Sequence, residues 1–170
     1  MSAPEPRATP TPLAASFERT AAAHVSDLPG ASLESFAAMF NLVRTANRMI
    51  NDLETKVHRQ AGWSWAGFRV MFTIWVSGPL EPRRIARLAS ISRAAVSSVL
   101  NTLERDGLVE RARDQGDRRL VTVRLTDDGR KRLEHAYTRQ NTREQELLSP
   151  LDPQELATFT DLLRRLLHAH

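Results

Sequence analysis

Residues 81–125 read EPRRIARLASISRAAVSSVLNTLERDGLVERARDQGDRRLVTVRL, two short helical patterns followed by two apolar, strand-like runs with an arginine-rich polar turn between them. In the first pattern Ile85, Leu88 and Ala89 fall at i, i+3 and i+4, which predicts one apolar face on a helix over about 82–89, with Pro82 in the first turn where a missing N–H does no harm. Ser90-Ile91-Ser92 interrupts that pattern. Ser92 is placed to N-cap a second helix carrying Val96, Val99, Leu100 and Leu103 on one face, and Asp106-Gly107 stops it. Two helices joined by so few residues cross steeply, and close crossing needs a small side chain such as Ala86; this is a helix-turn-helix. Leu108-Val109 and residues 120–125 have strand composition, and Asp114-Gln115-Gly116-Asp117 between them is a hairpin-loop sequence. The predicted fold is mainly α with a small β-hairpin wing: a winged helix-turn-helix domain plus a dimerisation region built from the terminal helices.

Working outward, residues 1 to about 12 hold Pro4, Pro6, Pro10 and Pro12 among Ala, Thr and Ser, too little apolar surface to offset the entropy of ordering. Leu13, Phe17, Ala21 and Val25 make an i, i+4 row that fits a short helix at 13–25, set apart by Pro29-Gly30. From Ser32 as N-cap, Leu33, Phe36, Phe40, Val43, Ile50, Leu53 and Val57 step by three and four through a segment free of Gly and Pro. They predict one helix of about 40 Å that Gly62 ends, with Asn47 either a polar residue in its seam or an exposed kink position. Trp65, Phe68, Val70, Met71, Phe72, Ile74 and Trp75 then build a helix apolar nearly all round, capped by Ser64 and placed at the domain centre.

After the wing, Thr126 caps a polar helix with Leu133, Ala136, Tyr137 and Leu147 on one side, and Asp152-Pro153-Gln154-Glu155 starts a last helix striped with Leu156, Phe159, Leu162, Leu163, Leu166 and Leu167. The first and last helices each carry a seam the winged domain alone would not cover, which implies a homodimer. The expected organisation is an N-terminal extension at 1–30, helical dimerisation segments at 31–62 and 126–170, and a DNA-binding domain at 63–125.

The chain has 170 residues and is 41% hydrophobic, enough for one ordinary core. No apolar run reaches the length of a membrane span and no signal peptide is apparent, so a cytoplasmic location without membrane contact is expected. With no cysteine, disulfides, thiolate metal sites and thiol redox sensing are excluded. The net charge of +4 is unevenly spread: the excess is +1 over residues 1–80, +4 over 81–125 and −1 over 126–170. A basic excess confined to the helix-turn-helix and wing is what a phosphate-binding surface produces.

The run Leu103-Glu104-Arg105-Asp106-Gly107-Leu108-Val109, then Arg111, Asp114, Asp117-Arg118-Arg119, Leu125-Thr126 and Gly129, resembles the MarR family of bacterial transcription regulators over roughly residues 33–168. In that family the wing loop more often reads Asp-Pro-Arg-Asp-Arg-Arg; here Gln115-Gly116 stands in the middle, one arginine fewer at the tip. The resemblance implies a triangular dimer with a winged domain at each lower corner, repression as the usual outcome, and small anionic or phenolic effectors bound between the dimer helices and the winged domain.

A recognition helix reads bases through its N-terminal residues and the outward positions of its first turns. Here these are Ser92, Arg93, Ala94, Ser97, Ser98 and Asn101; Arg93 can donate twice to guanine and Asn101 can pair with adenine. Arg118 and Arg119 sit beside Asp114 and Asp117, which suits one arginine to be tied to an aspartate, stiffening the loop, and the other to enter a narrow minor groove; Arg119 matches the last arginine of the family's wing motif, in either role. Arg83, Arg84 and Arg87 are candidate phosphate contacts.

Arg44, Arg48, His58, Arg59, Trp63, Trp65, Arg69, Phe72 and Trp75 are the aromatic and basic residues that could line an effector cleft, with Arg44, His58, Arg59, Trp63 and Arg69 the chosen set. Phe72 and Trp75 read more readily as core. No metal or cofactor is expected, because His24, His58, His135, His168 and His170 lack ligand spacing. No phosphate loop or nucleophile elbow is present, so no enzymatic activity is expected. The alternatives to a DNA-binding regulator are a winged-helix protein-interaction module, since fold does not dictate function, or a metal-responsive regulator.

Overall fold

The computed structural model describes residues 12–113 and 121–169. In chain order the elements are α1 (Pro12–Ser26), α2 (Leu33–Leu53), a π-helical turn (Glu54–His58), α3 (Arg59–Ala61), α4 (Trp65–Ser77), α5 (Pro82–Leu88), α6 (Arg93–Arg105), β1 (Val109–Arg113), β2 (Val121–Leu125), α7 (Asp127–Leu148) and α8 (Pro153–His168). They form two compact units, residues 1–49 with 144–170 and residues 50–143. Of the segment 1 to about 12, expected to stay unordered, residues 1–11 lie outside the described residues and Pro12 begins α1.

The unit spanning 50–143 contains the core and is a winged helix-turn-helix. Its strands pair antiparallel with Val109 opposite Leu125 and Arg111 opposite Val123. Leu80 adds a two-bond bridge to Val123, at 2.8 and 3.0 Å. At the centre lies α4, which buries Phe68, Val70, Met71 and Ile74. Around it pack Ile85 and Ala86 from α5, Val96, Leu100 and Leu103 from α6, Leu108, Val109 and Val123 from the wing root, and Leu133 and Ala136 from α7. Phe72, Trp75 and Tyr137 are half-buried against this core, as expected of aromatics at helical spacing.

The caps explain where the helices begin. Ser64 Oγ accepts from Gly67 N and Ser92 Oγ from Ala95 N, each at 3.2 Å. Pro82 sits in the first turn of α5. Asp152 and Glu155 form a full capping box at α8. Thr126 Oγ1 accepts from Gly129 N at 2.9 Å and donates to Gly107 O at 2.7 Å, tying the start of α7 to the root of the wing.

Two expectations are corrected. The helix from Leu33 is not uniform: a π turn at Glu54–His58 precedes α3, and Gly62 in the left-handed conformation ends the run. A π turn fits an extra residue into the ladder, and here it turns both Val57 and His58 inward, at 2% and 0% exposure. On α5, Leu88 is 52% exposed while Ile85, Ala86 and Ala89 are buried. At 100° per residue these three centre about 50° past Ile85, and Leu88 falls about 110° from that centre.

In the other unit α1 packs on α2 through Phe17 and Phe40, with ring centroids 5.9 Å apart, and Asn41 Nδ2 donates to Glu18 Oε1 at 2.8 Å. Leu33, Met39 and Val43 of α2 remain exposed. So do Phe159, Leu162, Leu166 and Leu167 of α8, a helix with no buried residue.

Candidate nucleic-acid interface

Between α5 and α6 the chain turns through Ser90 at φ 51, the one non-glycine residue with positive φ among the described residues. Such a conformation costs free energy unless its surroundings hold it. Ile91 N donates to Ala86 O at 3.0 Å. From α4, Arg69 Nη2 donates to Ala89 O and to Ser90 O, the latter at 3.1 Å. A guanidinium on two carbonyls at the end of α5 neutralises the negative helix terminus and fixes the corner from which α6 departs. Arg69, a candidate for the effector cleft, therefore supports the helix-turn-helix corner.

On the outer side a groove of about 500 Å³ is lined by Arg83, Arg84, Arg87, Ile91, Ser92 and Arg93. Arg83 is partly neutralised by Glu81, at 2.6 Å. The structure thus brings the three candidate phosphate contacts together with the first residues of α6. From the N-terminus of α6, Arg93, Ala94, Ser97, Ser98 and Asn101 are all exposed. At 100° per residue they span one face of about 140°, opposite the buried Val96, Leu100 and Leu103. Ser98 lies on its flank, at the rim of a recess of about 240 Å³ shared with Trp63 and Ser64.

Asn101 has a partner ten residues away that its own surroundings in the chain do not announce. Its Oδ1 accepts from Arg111 Nη2 at 2.8 Å, and Arg111 Nη1 lies 3.2 Å from Glu104 Oε2. Arg124 Nε pairs with Glu110 Oε1 across the wing strands at 2.8 Å. Arg118 and Arg119, with the rest of the wing loop, lie outside the described residues.

The effector candidates stand in different surroundings. Arg44 belongs to the unit holding α1, where its guanidinium lies over the Phe40 and Phe17 rings at 5.1 and 5.9 Å. Arg59 is exposed and 3.5 Å from Glu54. His58 is fully buried, stacked on Phe68 at 4.4 Å, and its Nδ1 accepts from Trp63 Nε1 at 3.2 Å. Burial pushes its imidazole down to about 4, against smaller upward pulls from the Gln140 side chain and the Glu54 charge. Trp63 is buried, at 6% exposure, yet reaches a surface groove. With Gln60, Lys131, Arg132, His135 and Arg139 it lines a groove of about 420 Å³. Arg132 lies over the Trp63 ring at 5.6 Å and donates to Ala61 O at 2.9 Å.

Sequence reasoning missed Gln140, buried beside His58, although it extends the row Leu133, Ala136, Tyr137 by one more turn. It also missed Asp52, bound by Arg143 at 2.6 and 2.9 Å and by Lys56 at 2.7 Å, whose carboxyl these cations hold well below the usual carboxylate range. Among the described residues no three His, Asp or Glu side chains are grouped to hold a metal ion, and no helix is long and apolar enough to cross a membrane.

Comparison with known proteins adds four findings. The model of the MarR family matches residues 63–121. YwaE of Bacillus subtilis, an uncharacterised HTH-type transcriptional regulator, is 37% identical over 134 residues, covering 79% of this chain and 78% of its own. YetL of the same organism, an HTH-type transcriptional repressor, is 25% identical over 111 residues, 64% of each chain. Among solved structures, BpsR of Bordetella bronchiseptica superposes with a TM-score of 0.70 at 25% identity over 77% of this chain and 93% of its own. That structure concerns regulation of BpsR's DNA binding by 6-hydroxynicotinic acid.

Proposed function

The chain belongs to the MarR family of transcription regulators, and from that premise we propose that it is a repressor that binds a palindromic operator as a homodimer and is released by a small anionic or aromatic effector. The observation that carries this reading is the groove of Arg83, Arg84, Arg87 and Arg93 running into the exposed face of α6. Arginines there neutralise backbone phosphates and position the protein, while Arg93, Ala94, Ser97, Ser98 and Asn101 face the base edges. One of Arg118 and Arg119 supplies the minor-groove contact of the wing. No catalytic role is assigned to any residue.

Homodimerisation is supported by the exposed apolar residues of α2 and α8. Leu166 and Leu167 are 62% and 78% exposed, and patches of this kind mark association surfaces. Repression is supported by likeness to YetL. Effector release is supported by likeness to BpsR, together with the groove floored by Trp63 and rimmed by Lys131, Arg132, His135 and Arg139. This groove suits a small anion, because Lys131, Arg132 and Arg139 line it with positive charge.

The test is a fluorescence-anisotropy titration of the purified protein with the intergenic DNA upstream of its own gene against a scrambled duplex, at two salt concentrations. Preferential binding, one dimer per palindrome, that weakens steeply with salt is the expected result. Equal weak binding to both duplexes would overturn it, and salt-insensitive binding to a protein partner with no DNA affinity would establish the interaction-module alternative.

A further inference from the structure

Resting on the reading of α6 as the base-reading helix, we propose that Arg111 is a specificity-determining positioning residue that fixes the side-chain amide of Asn101, so that its Nδ2 group meets acceptor-bearing base edges. Arg111 stands on β1, opposite Val123, and reaches from the wing to the third turn of α6. Its guanidinium is held at two points, Nη2 on Asn101 Oδ1 at 2.8 Å and Nη1 beside Glu104 Oε2 at 3.2 Å. A fork gripped at both arms cannot swing about one bond, which is the advantage of arginine in such a position.

The orientation of Asn101 follows from donor and acceptor chemistry alone. The oxygen and nitrogen of an asparagine amide are ordinarily interchangeable in assignment. A guanidinium carries five N–H donors and no acceptor, so the atom turned toward Arg111 must be the amide oxygen. The Nδ2 hydrogens therefore point away from the wing strand. At 100° per residue Asn101 lies about 80° past Arg93, within the exposed 140° face. An unrestrained amide would flip to suit whichever base stood opposite. A fixed one favours guanine N7 and O6, adenine N7 or thymine O4, and repels the amino group of cytosine at that place.

The side chains of Arg111 and Glu104 are each 38% exposed, so the contact can be removed without opening the core. The experiment uses the full-length protein and the duplex it prefers, with every base pair substituted in turn and affinities read by anisotropy. Asn101→Ala, Arg111→Ala, Arg111→Lys and the Asn101→Ala/Arg111→Ala double variant are compared, with thermal melts confirming that each is folded. All four variants are expected to lose the same discrimination, about fivefold or more, at the same symmetric base pair. Their affinity for scrambled DNA should stay within about twofold of wild type, and the double variant should lose no more than either single one. Arg111→Lys retains the charge and lacks the fork; if it discriminates like wild type while Arg111→Ala weakens all duplexes equally and flattens the salt dependence, Arg111 contacts phosphate and the inference is overturned. Intact discrimination in every Arg111 variant overturns it too. A wild-type protein that distinguishes none of the duplexes refutes the regulator reading itself, and the positioning role with it.

Discussion

Gly129→Ala is expected to destabilise the protein, although the substitution raises helix propensity. Gly129 lies in the first turn of α7, where its N–H is bound by Thr126 Oγ1 at 2.9 Å. A Cβ built on it would stand 2.0 Å from Leu108 O and 2.8 Å from Leu108 C. Optimal heavy-atom separations are about 3.5–4.0 Å, so the overlap exceeds 1 Å. The obstacle is backbone and cannot rotate away. Leu108 N is bonded to Leu103 O at 2.8 Å, and Thr126 N donates back to Leu108 O at 3.1 Å.

Propensity favours alanine by at most about 1 kcal/mol in a helix interior, and by less in a first turn. Overpacking costs about 1–3 kcal/mol, toward the upper end where neither neighbour can yield. The net loss is therefore about 2 kcal/mol, and at about 2–4 °C per kcal/mol for a chain of this size Tm should fall by about 4–8 °C. A far-UV circular dichroism melt of the variant beside wild type reads this directly. A Tm equal to or above wild type would refute the reasoning, showing that α7 and the wing root separate at no cost and that propensity decides.

Arg69→Leu removes the donors to Ala89 O and Ser90 O and should cost about 1.5–3 kcal/mol, with weaker operator binding because α6 loses its corner; a wild-type melt would show that the corner does not depend on Arg69. His58, pushed down to about 4, refuses a proton that the unfolded chain takes up at its ordinary pKa of 6.5, so its contribution is complete above pH 6.5 and shrinks as pH falls toward 4. Between pH 7 and 5 wild type should lose about 2 kcal/mol that His58→Gln does not lose, read from urea titrations; equal losses would contradict a buried neutral imidazole. Arg118→Ala with Arg119→Ala should weaken operator binding at least about tenfold at unchanged helicity, and wild-type affinity in that variant would remove the wing from the mechanism.

The legible parts of this fold are those whose cause is local. Ser64, Ser92, Thr126 and Asp152 begin helices because a short acceptor there satisfies the first free N–H groups, and that is visible within four residues. The strand composition of the wing and the steps of three and four in α6 are equally local. Leu88 misled because three positions cannot locate the centre of an apolar face on a helix of seven residues. The exposed face of α6 was legible for the same local reason, whereas its supports were not. Arg69 acts 20 and 21 residues away and Arg111 acts 10 residues away, both as charged side chains whose sequence context reads as ordinary surface. His58 and Gln140 meet inside the core from opposite ends of their unit, and nothing near either residue announces the other.

What those distant supports share is the helix they hold. A reading helix must be fixed to within about 0.5 Å and 10–20° for its side chains to meet base edges, and short helices with exposed faces do not achieve that alone. Arg69 holds the turn before α6, through carbonyls at the end of α5. Arg111 and Glu104 hold its third turn against β1. Beyond its C-terminus, Gly107, Leu108, Thr126 and Gly129 bind the wing root to α7. The three supports differ in burial, so their removal should separate experimentally. The Arg69 contacts hold backbone carbonyls at a strained turn and Gly129 abuts the buried Leu108 backbone, so losing either should cost stability first and affinity as a consequence. The Arg111 contact is exposed and made to a side chain proposed to face DNA, so losing it should leave stability and non-specific affinity in place and change which sequence is preferred.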